Sequence, residues 1–390
     1  MEQRKRHIKI AENPLAGGGF VNWLRLLRSN NRVESRYLSR AVYITFMTLL
    51  FSPWRALQKS VFGRRIEATR IDQDPIFVLG HYRSGGTYLV NLMTQDTQWG
   101  FLSTTQALLP DLFLLGRPIR NIFKLFLHEK RPMDNVRVTP ESPEEPEHAI
   151  GNLVPYGFYQ GFCFPDRMMD YFRSSVLFEN DPSGKVHQLW KQAYIKILKA
   201  CTMANRGKRL LIKNPPDTAR IPSLVEMFPN AKFIFLYRNP YVMFPSIRNF
   251  YTAYIVDWQL RDIGDDELDE NILTIYEQIM SRYQQDKQLI SQDHLVEVRF
   301  EDFEKRPVDE MERIYRRLHL PGFEDSISAF ADYADSQKDY EKNHYSLTPQ
   351  QIERISHHWS ADIQRWGYAP EEAVEIAASS GAPPPYPKKA

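Results

Sequence analysis

Four short apolar runs punctuate the chain, at residues 76–79, 209–213, 232–237 and 294–300. Apolar residues at spacings of three and four follow them: Leu89, Leu92 and Met93, then Ile221, Leu224, Val225 and Phe228, and finally Met311, Ile314, Tyr315 and Leu318. A short apolar run bounded by turn residues reads as a buried strand, and the three-four spacing reads as a helix with one core-facing stripe. Strand then helix, repeated, predicts an α/β fold: a central parallel sheet flanked by helices on both faces. A further helix is predicted over 186–204. Residues 100–130 are apolar and aromatic, predicted to cover the sheet or wall a pocket. The polar, proline-rich segment 131–150 is predicted to enter a helix at Pro143. Residues 1–70 read as a helical arm, with an early break at Gly17-Gly18-Gly19 and Pro53 closing its apolar helix, ahead of a domain over 71–370. The closing stretch 371–390, rich in Ala, Ser and Pro, reads as a disordered tail.

The composition narrows the function classes. With 390 residues and 43% hydrophobic content, the chain can bury a substantial core. Fifty basic against 48 acidic residues leave a net charge of +2, which argues against a general polyanion binder, so no nucleic-acid partner is expected. Cys163 and Cys201 form no CxxC pair, and the start MEQRKRHIKIAENP is no secretory signal; together they place the expected location in the cytoplasm. The longest apolar stretch, 41–51, is too short to span a membrane, which takes roughly 20 residues. With Trp23, Leu24, Leu26, Leu27 and Trp54 and many arginines nearby, segment 20–57 is instead a candidate for peripheral membrane contact. The adjacent His357 and His358 lack a ligand partner at metal spacing, and no metal site is expected.

The candidate chemistry gathers at the ends of the strands. Gly80-His81-Tyr82-Arg83-Ser84-Gly85-Gly86-Thr87 joins the first strand to its helix, and such a turn offers free amides to an anion. It nearly spells the Walker A motif but has Gly86 where the lysine belongs, and Arg238 stands where a magnesium-binding Asp would end the third strand. Nucleotide triphosphate hydrolysis is therefore disfavoured, and the dinucleotide fingerprint is absent. Arg83 in the loop, with Lys213 and Arg238 ending two other strands, describes a ligand carrying several anionic groups across one edge of a sheet. A nucleotide-dependent kinase and a non-catalytic nucleotide-binding protein stay open as alternatives on these residues.

The ordered set of motifs resembles the PAPS-dependent sulfotransferases, in the form bacterial members take. The resemblance rests on Phe77-x-Leu79-Gly80-x-x-Arg83-Ser84-Gly85-Gly86-Thr87-Tyr88-Leu89, on Leu211-Ile212-Lys213-x-Pro215 and on Leu236-x-Arg238-x-Pro240 with Ser246. It continues through Arg299-Phe300-Glu301-Asp302-Phe303 and spans roughly 75–325. It implies a P-loop-like fold and transfer of a sulfonate from PAPS (3'-phosphoadenosine 5'-phosphosulfate), without a metal, to a hydroxyl or, less often, an amine. It also implies that Arg83, Ser84, Gly85, Gly86, Thr87 and Tyr88 wrap the phosphosulfate, and that Arg238 and Ser246 grip the 3'-phosphate. Lys342-Asn343-His344 resembles a segment that closes over the nucleotide, and Asn239 replaces the commoner Asp, which bears on turn geometry. Arg83 and Lys213 would stabilise charge on the transferring group. The segment 140–149, PESPEEPEHA, resembles the acidic segment of bacterial members and implies a base: Glu145 first, with Glu147 and His148 in reserve, although Pro146 departs from the usual acidic residue. The aromatic stretch 156–164 and the apolar segment 108–127 favour a small-molecule or lipid acceptor, such as a sterol or other hydrophobic alcohol.

Overall fold

A computed structural model of the chain describes residues 9–30, 32–124, 138–179, 181–338, 343–370 and 374–376. Five parallel strands form its centre: β1 (Ile76–Leu79), β2 (Gly100–Phe101), β3 (Leu210–Lys213), β4 (Lys232–Tyr237) and β5 (Leu295–Arg299), in the order β2-β3-β1-β4-β5. Four of the five lie within a residue of the apolar runs. The exception is β2, whose two residues are too few to carry a period.

The pleat explains why the runs do not alternate. Phe77 and Leu79 point into one hydrophobic cluster with Ile212, Phe233 and Phe235, whereas Ile76 and Val78 point into another with Leu211, Ile234, Val296 and Val298. Both faces of the sheet are covered, so both residue sets must be apolar. Burying each such side chain contributes about 1.5–3 kcal/mol. The helices α1 (Phe20–Ser29), α2 (Leu38–Leu50) and α3 (Ser52–Ala68) make up the N-terminal arm. It is tied to the rest of the chain: Asn22 donates to the carbonyls of Gly151 and Asn152, and the buried Arg40 donates to those of Val256 and Gln259.

Three further helices position the site. Helix α4 (Gly86–Met93) follows β1, α5 (Pro146–Leu153) lies in the acidic segment, and α6 (Pro240–Ala253) follows β4. The helix expected at 186–204 runs over Lys185–Ala204. Within the segment read as a tail, Glu375–Ile376 pair in parallel with Ser346–Leu347; residues 371–373 and 377–390 lie outside the described residues.

The strand order fixes where a ligand can sit. After β3 the chain crosses β1 to reach β4, so the loop leaving β1 emerges between the carboxyl ends of β3 and β4. At such a reversal the flanking loops part and leave a crevice.

Candidate active site

The loop between β1 and α4 is bent by three residues of positive φ: Gly80 at 135°, Arg83 at 69° and Gly85 at 98°. A Cβ on Gly80 would strike the carbonyl of Leu236, and one on Gly85 the ring of Phe300, so both positions require glycine. Arg83 has no such exemption and holds the left-handed region at a cost of about 1–2 kcal/mol. The bend starts α4 at Gly86 and aims its first amides into a cavity of about 710 Å³. Arg83, Ser84, Gly85, Gly86, Thr87 and Tyr88 line it together with Glu145, His148, Lys213, Arg238 and Ser246. Lys342 lies outside the described residues; Lys338 and Asn343 on either side of it line the same cavity.

The cations divide between two ends. At one end the Arg83 Nε donates to Ser246 Oγ over 2.9 Å, and Arg238 donates to the Arg83 carbonyl over 3.2 Å. Arg238 lies over the ring of Phe300 at 4.4 Å. Its burial, followed by the charge of Arg83, holds its pKa below the ordinary arginine value. An anion placed between the two guanidiniums relieves that repulsion. Glu301, beside Phe300, accepts from the Asn239 amide at 2.9 Å and from the Tyr368 hydroxyl at 2.8 Å. The Asn239 side chain in turn accepts from the Tyr241 amide at 3.0 Å and caps α6, the helix that presents Ser246. Phe300 and Glu301 of the Arg299–Asp302 motif therefore contact the turn that carries Arg238 and Asn239.

At the other end, the Lys213 ammonium pairs with Glu145, and the Tyr159 hydroxyl donates to the second oxygen of that carboxylate. The helix expected from Pro143 begins at Pro146, where proline sits in the first turn and loses no hydrogen bond. Pro143 instead bridges to Ser103, and the Ser142 carbonyl accepts from Thr104. Glu145 is thus the N-cap residue of α5, and its carbonyl accepts from the His148 amide at 3.3 Å. Both side chains reach the cavity through that cap. His148 is half-buried, packed against Tyr159 and Trp258, and desolvation there pushes its pKa down to about 4 and keeps the ring neutral. Its Nδ1 has no hydrogen-bond partner among the described residues.

Glu147, one of the two reserve candidates, is not among the residues that line the cavity. It is fully buried away from the cavity, ion-paired to Arg220 at 2.7 Å, and accepts from the Phe158 amide at 2.8 Å and from Asn214 at 3.2 Å. Burial alone would raise its pKa, but Arg220 and these hydrogen bonds hold it below the usual range. The aromatic stretch 156–164 also divides: Phe158, Phe162 and Phe164 are core residues, and Tyr159 lines the cavity. The sequence marked Tyr159 only as one of several aromatic residues in that stretch, because the contact that sets it apart spans 14 residues.

A second cavity of about 140 Å³ opens beside His148. Met47 and Phe51 of the arm, with Leu108, Leu109, Ile119 and Phe123, form apolar walls, and Glu144, His148, Tyr254 and Trp258 border both cavities. Segment 108–127 thus does wall a pocket, over the part described. The arm, where the sequence offered no chemistry, supplies the facing wall. His358, set aside as a metal ligand, lies near Glu270 and Glu277.

Residues 75–325 match the model of the sulfotransferase family. The chain belongs to that family. Two curated proteins, both named omega-hydroxy-beta-dihydromenaquinone-9 sulfotransferase Stf3, from Mycobacterium bovis and Mycobacterium tuberculosis, are each 30% identical to it over 353 residues, 90% of either chain. Among solved structures, the sulfotransferase STF9 from Mycobacterium avium superposes with a TM-score of 0.66 at 16% identity, covering 90% of each chain. STF1 from Mycobacterium tuberculosis does so at 0.59 and 14% identity, covering 90% of this chain and 93% of its own. At those identities the structures establish the fold. The family establishes this sulfotransferase as an enzyme that transfers sulfonate groups, in a sheet whose loop after β1 is P-loop-like.

Proposed function

We propose that this enzyme moves the sulfonate of PAPS to the hydroxyl of an apolar, lipid-like acceptor. The observation that carries the reading is a cation-lined cavity, holding the Lys213–Glu145 pair, that shares Glu144, His148, Tyr254 and Trp258 with an apolar one. The family's donor has anionic groups at both ends, matching cations at both ends of the larger cavity. The Stf3 relatives are named for a hydroxylated menaquinone derivative, an acceptor of this chemical kind.

In this reading the 3'-phosphate lies between Arg238, Ser246 and Arg83, and the phosphosulfate lies on the loop amides of residues 84–88. The acceptor chain fills the smaller cavity and brings its hydroxyl past His148 to Glu145. The acceptor oxygen attacks sulfur as the bond from sulfur to the bridging phosphate oxygen breaks. Glu145 takes the hydroxyl proton, and PAP leaves with the electron pair of the broken bond. Lys213, released from Glu145 as that carboxylate is protonated, stabilises the charge arriving on the bridging oxygen. Because Arg83 is held toward Ser246, Lys213 is the cation at the reacting end. Neutral His148 is free to accept a hydrogen bond from the acceptor hydroxyl.

Incubation of the protein with labelled PAPS and a panel of long-chain alcohol, sterol, short phenol and sugar acceptors tests this. Label is expected in the long-chain or sterol product, with much less in the sugar. Label confined to sugar or amine products would overturn the acceptor class.

A further inference from the structure

We infer that α2 and α3 dock this enzyme on an anionic lipid surface, from which the acceptor enters the smaller cavity; the delivery step rests on the acceptor reading above. The two faces of α2 differ. Ile44, Met47 and Phe51 point inward, at spacings of three and four. On the opposite side Leu38, Val42, Phe46 and Leu49 form a second apolar stripe at spacings of four, four and three, and Val42 and Phe46 are 67% and 60% exposed. The stripe continues on α3 through Trp54, Leu57 and Val61, all near half exposed. Isolated exposed apolar residues are ordinary, but seven in register along two successive helices form a patch that water disfavours.

Charge selects the occupant. Between residues 20 and 68, which span the three helices, the sequence has nine Lys and Arg against two acidic residues, Glu34 and Glu67, in a chain whose overall net charge is only +2. Arg25, Arg28, Arg32, Lys59, Arg64 and Arg65 are exposed, whereas Arg36 is held in an ion pair with Asp262. An apolar face rimmed by cations is the pattern of a helix lying in a lipid interface, with its rings among the acyl chains and its guanidiniums at the headgroups. A second copy of this chain would set two cationic rims against each other. Among the described residues no helix is long and apolar enough to cross a membrane, so the contact is peripheral.

Position supplies the second observation. Tyr43 and Met47, on the inner side of α2, line the smaller cavity, so one helix separates the exposed stripe from the acceptor's apolar channel. Ile122 also lines that cavity and is 42% exposed, marking its mouth. An acceptor drawn from a bilayer would therefore enter without crossing water.

Co-sedimentation of the full chain with phosphatidylcholine vesicles, with and without about a third phosphatidylglycerol, tests the surface without any acceptor or donor. The wild type is expected to sediment with the anionic vesicles and far less with the neutral ones. Val42→Asp/Phe46→Asp is expected to lose at least tenfold in vesicle affinity while keeping PAP binding and its turnover of a short soluble alcohol. Arg64→Glu/Arg65→Glu is expected to lose the preference for anionic vesicles. A wild type that stays in the supernatant with both vesicle types, or a Val42→Asp/Phe46→Asp variant that sediments unchanged, overturns the inference. So does light scattering that finds a wild-type dimer made monomeric by that variant, which assigns the face to a second copy. Vesicle binding with no sulfonate transfer to any alcohol would remove the acceptor reading and leave the surface standing.

Discussion

Lys213 at the end of β3 and Glu145 at the N-cap of α5, 68 residues apart in sequence, form an ion pair in the wall of the larger cavity. The pair is largely screened from solvent, with side-chain exposures of 17% and 12%. In the proposed reaction Lys213 stabilises the leaving group and Glu145 takes the acceptor proton. Replacing Lys213 by Ala is expected to lower kcat by about 10²–10³, the usual cost of one charge-stabilising donor. PAP affinity should change much less, and steady-state rates beside calorimetric PAP titration separate the two effects.

Arg238→Ala should act in the opposite sense. Losing a charge-assisted contact to the 3'-phosphate costs about 1.5–3 kcal/mol, or roughly 10–100-fold in affinity. The loss should appear with PAP and be nearly absent with AMP, which lacks the 3'-phosphate. Equal losses for both nucleotides would move the 3'-phosphate elsewhere.

Glu147→Ala is expected to damage the fold rather than the chemistry. It leaves the fully buried Arg220 with Asp217 alone among its carboxylate partners. Breaking a buried pair in this way costs about 3–5 kcal/mol. Thermal unfolding should show a Tm lowered by several degrees, and the Glu145 substitution should not share this effect.

His148 makes a pH prediction through burial. Its pKa of about 4 in the folded chain lies below the ordinary 6.5. Between those values the unfolded chain binds a proton that the folded one refuses, so this group's contribution falls as pH drops from about 6.5 toward 4. At pH 5 the loss is about 2 kcal/mol. His81, also pushed down to about 4 by burial, adds in the same direction, whereas Asp217 and Asp362, raised to about 6, oppose it. The comparison that isolates His148 is His148→Gln against wild type. The variant should lose less Tm between pH 7 and pH 5.

Much of the fold was legible because the sheet is buried on both sides, which turns each strand into an uninterrupted apolar run such as 76–79. The two-residue β2 leaves no such trace. The cations were legible for the same reason: Lys213 closes one apolar run, Arg238 directly follows another, and Arg83 stands four residues past a third in the loop, so their places are a matter of counting. Glu145 and Glu147 were not separable in sequence. Two residues apart in an acidic segment, they differ only in that one caps a helix at the cavity and the other points into the core toward Arg220, which lies 73 residues away. The wall supplied by Met47 and Phe51 was hidden likewise, since an apolar helix reads the same whichever cavity it borders.

The most direct measurement is single-turnover transfer from labelled PAPS to a long-chain alcohol by wild type and Glu145→Gln, with PAP affinity measured on both. The swap keeps the shape and removes the proton acceptor. Transfer by wild type in the presence of EDTA, a rate about 10²–10⁴-fold lower in the variant, and unchanged PAP affinity are expected. A Glu145→Gln enzyme that transfers sulfonate at the wild-type rate would contradict the assignment of the base and of the acceptor's path to it.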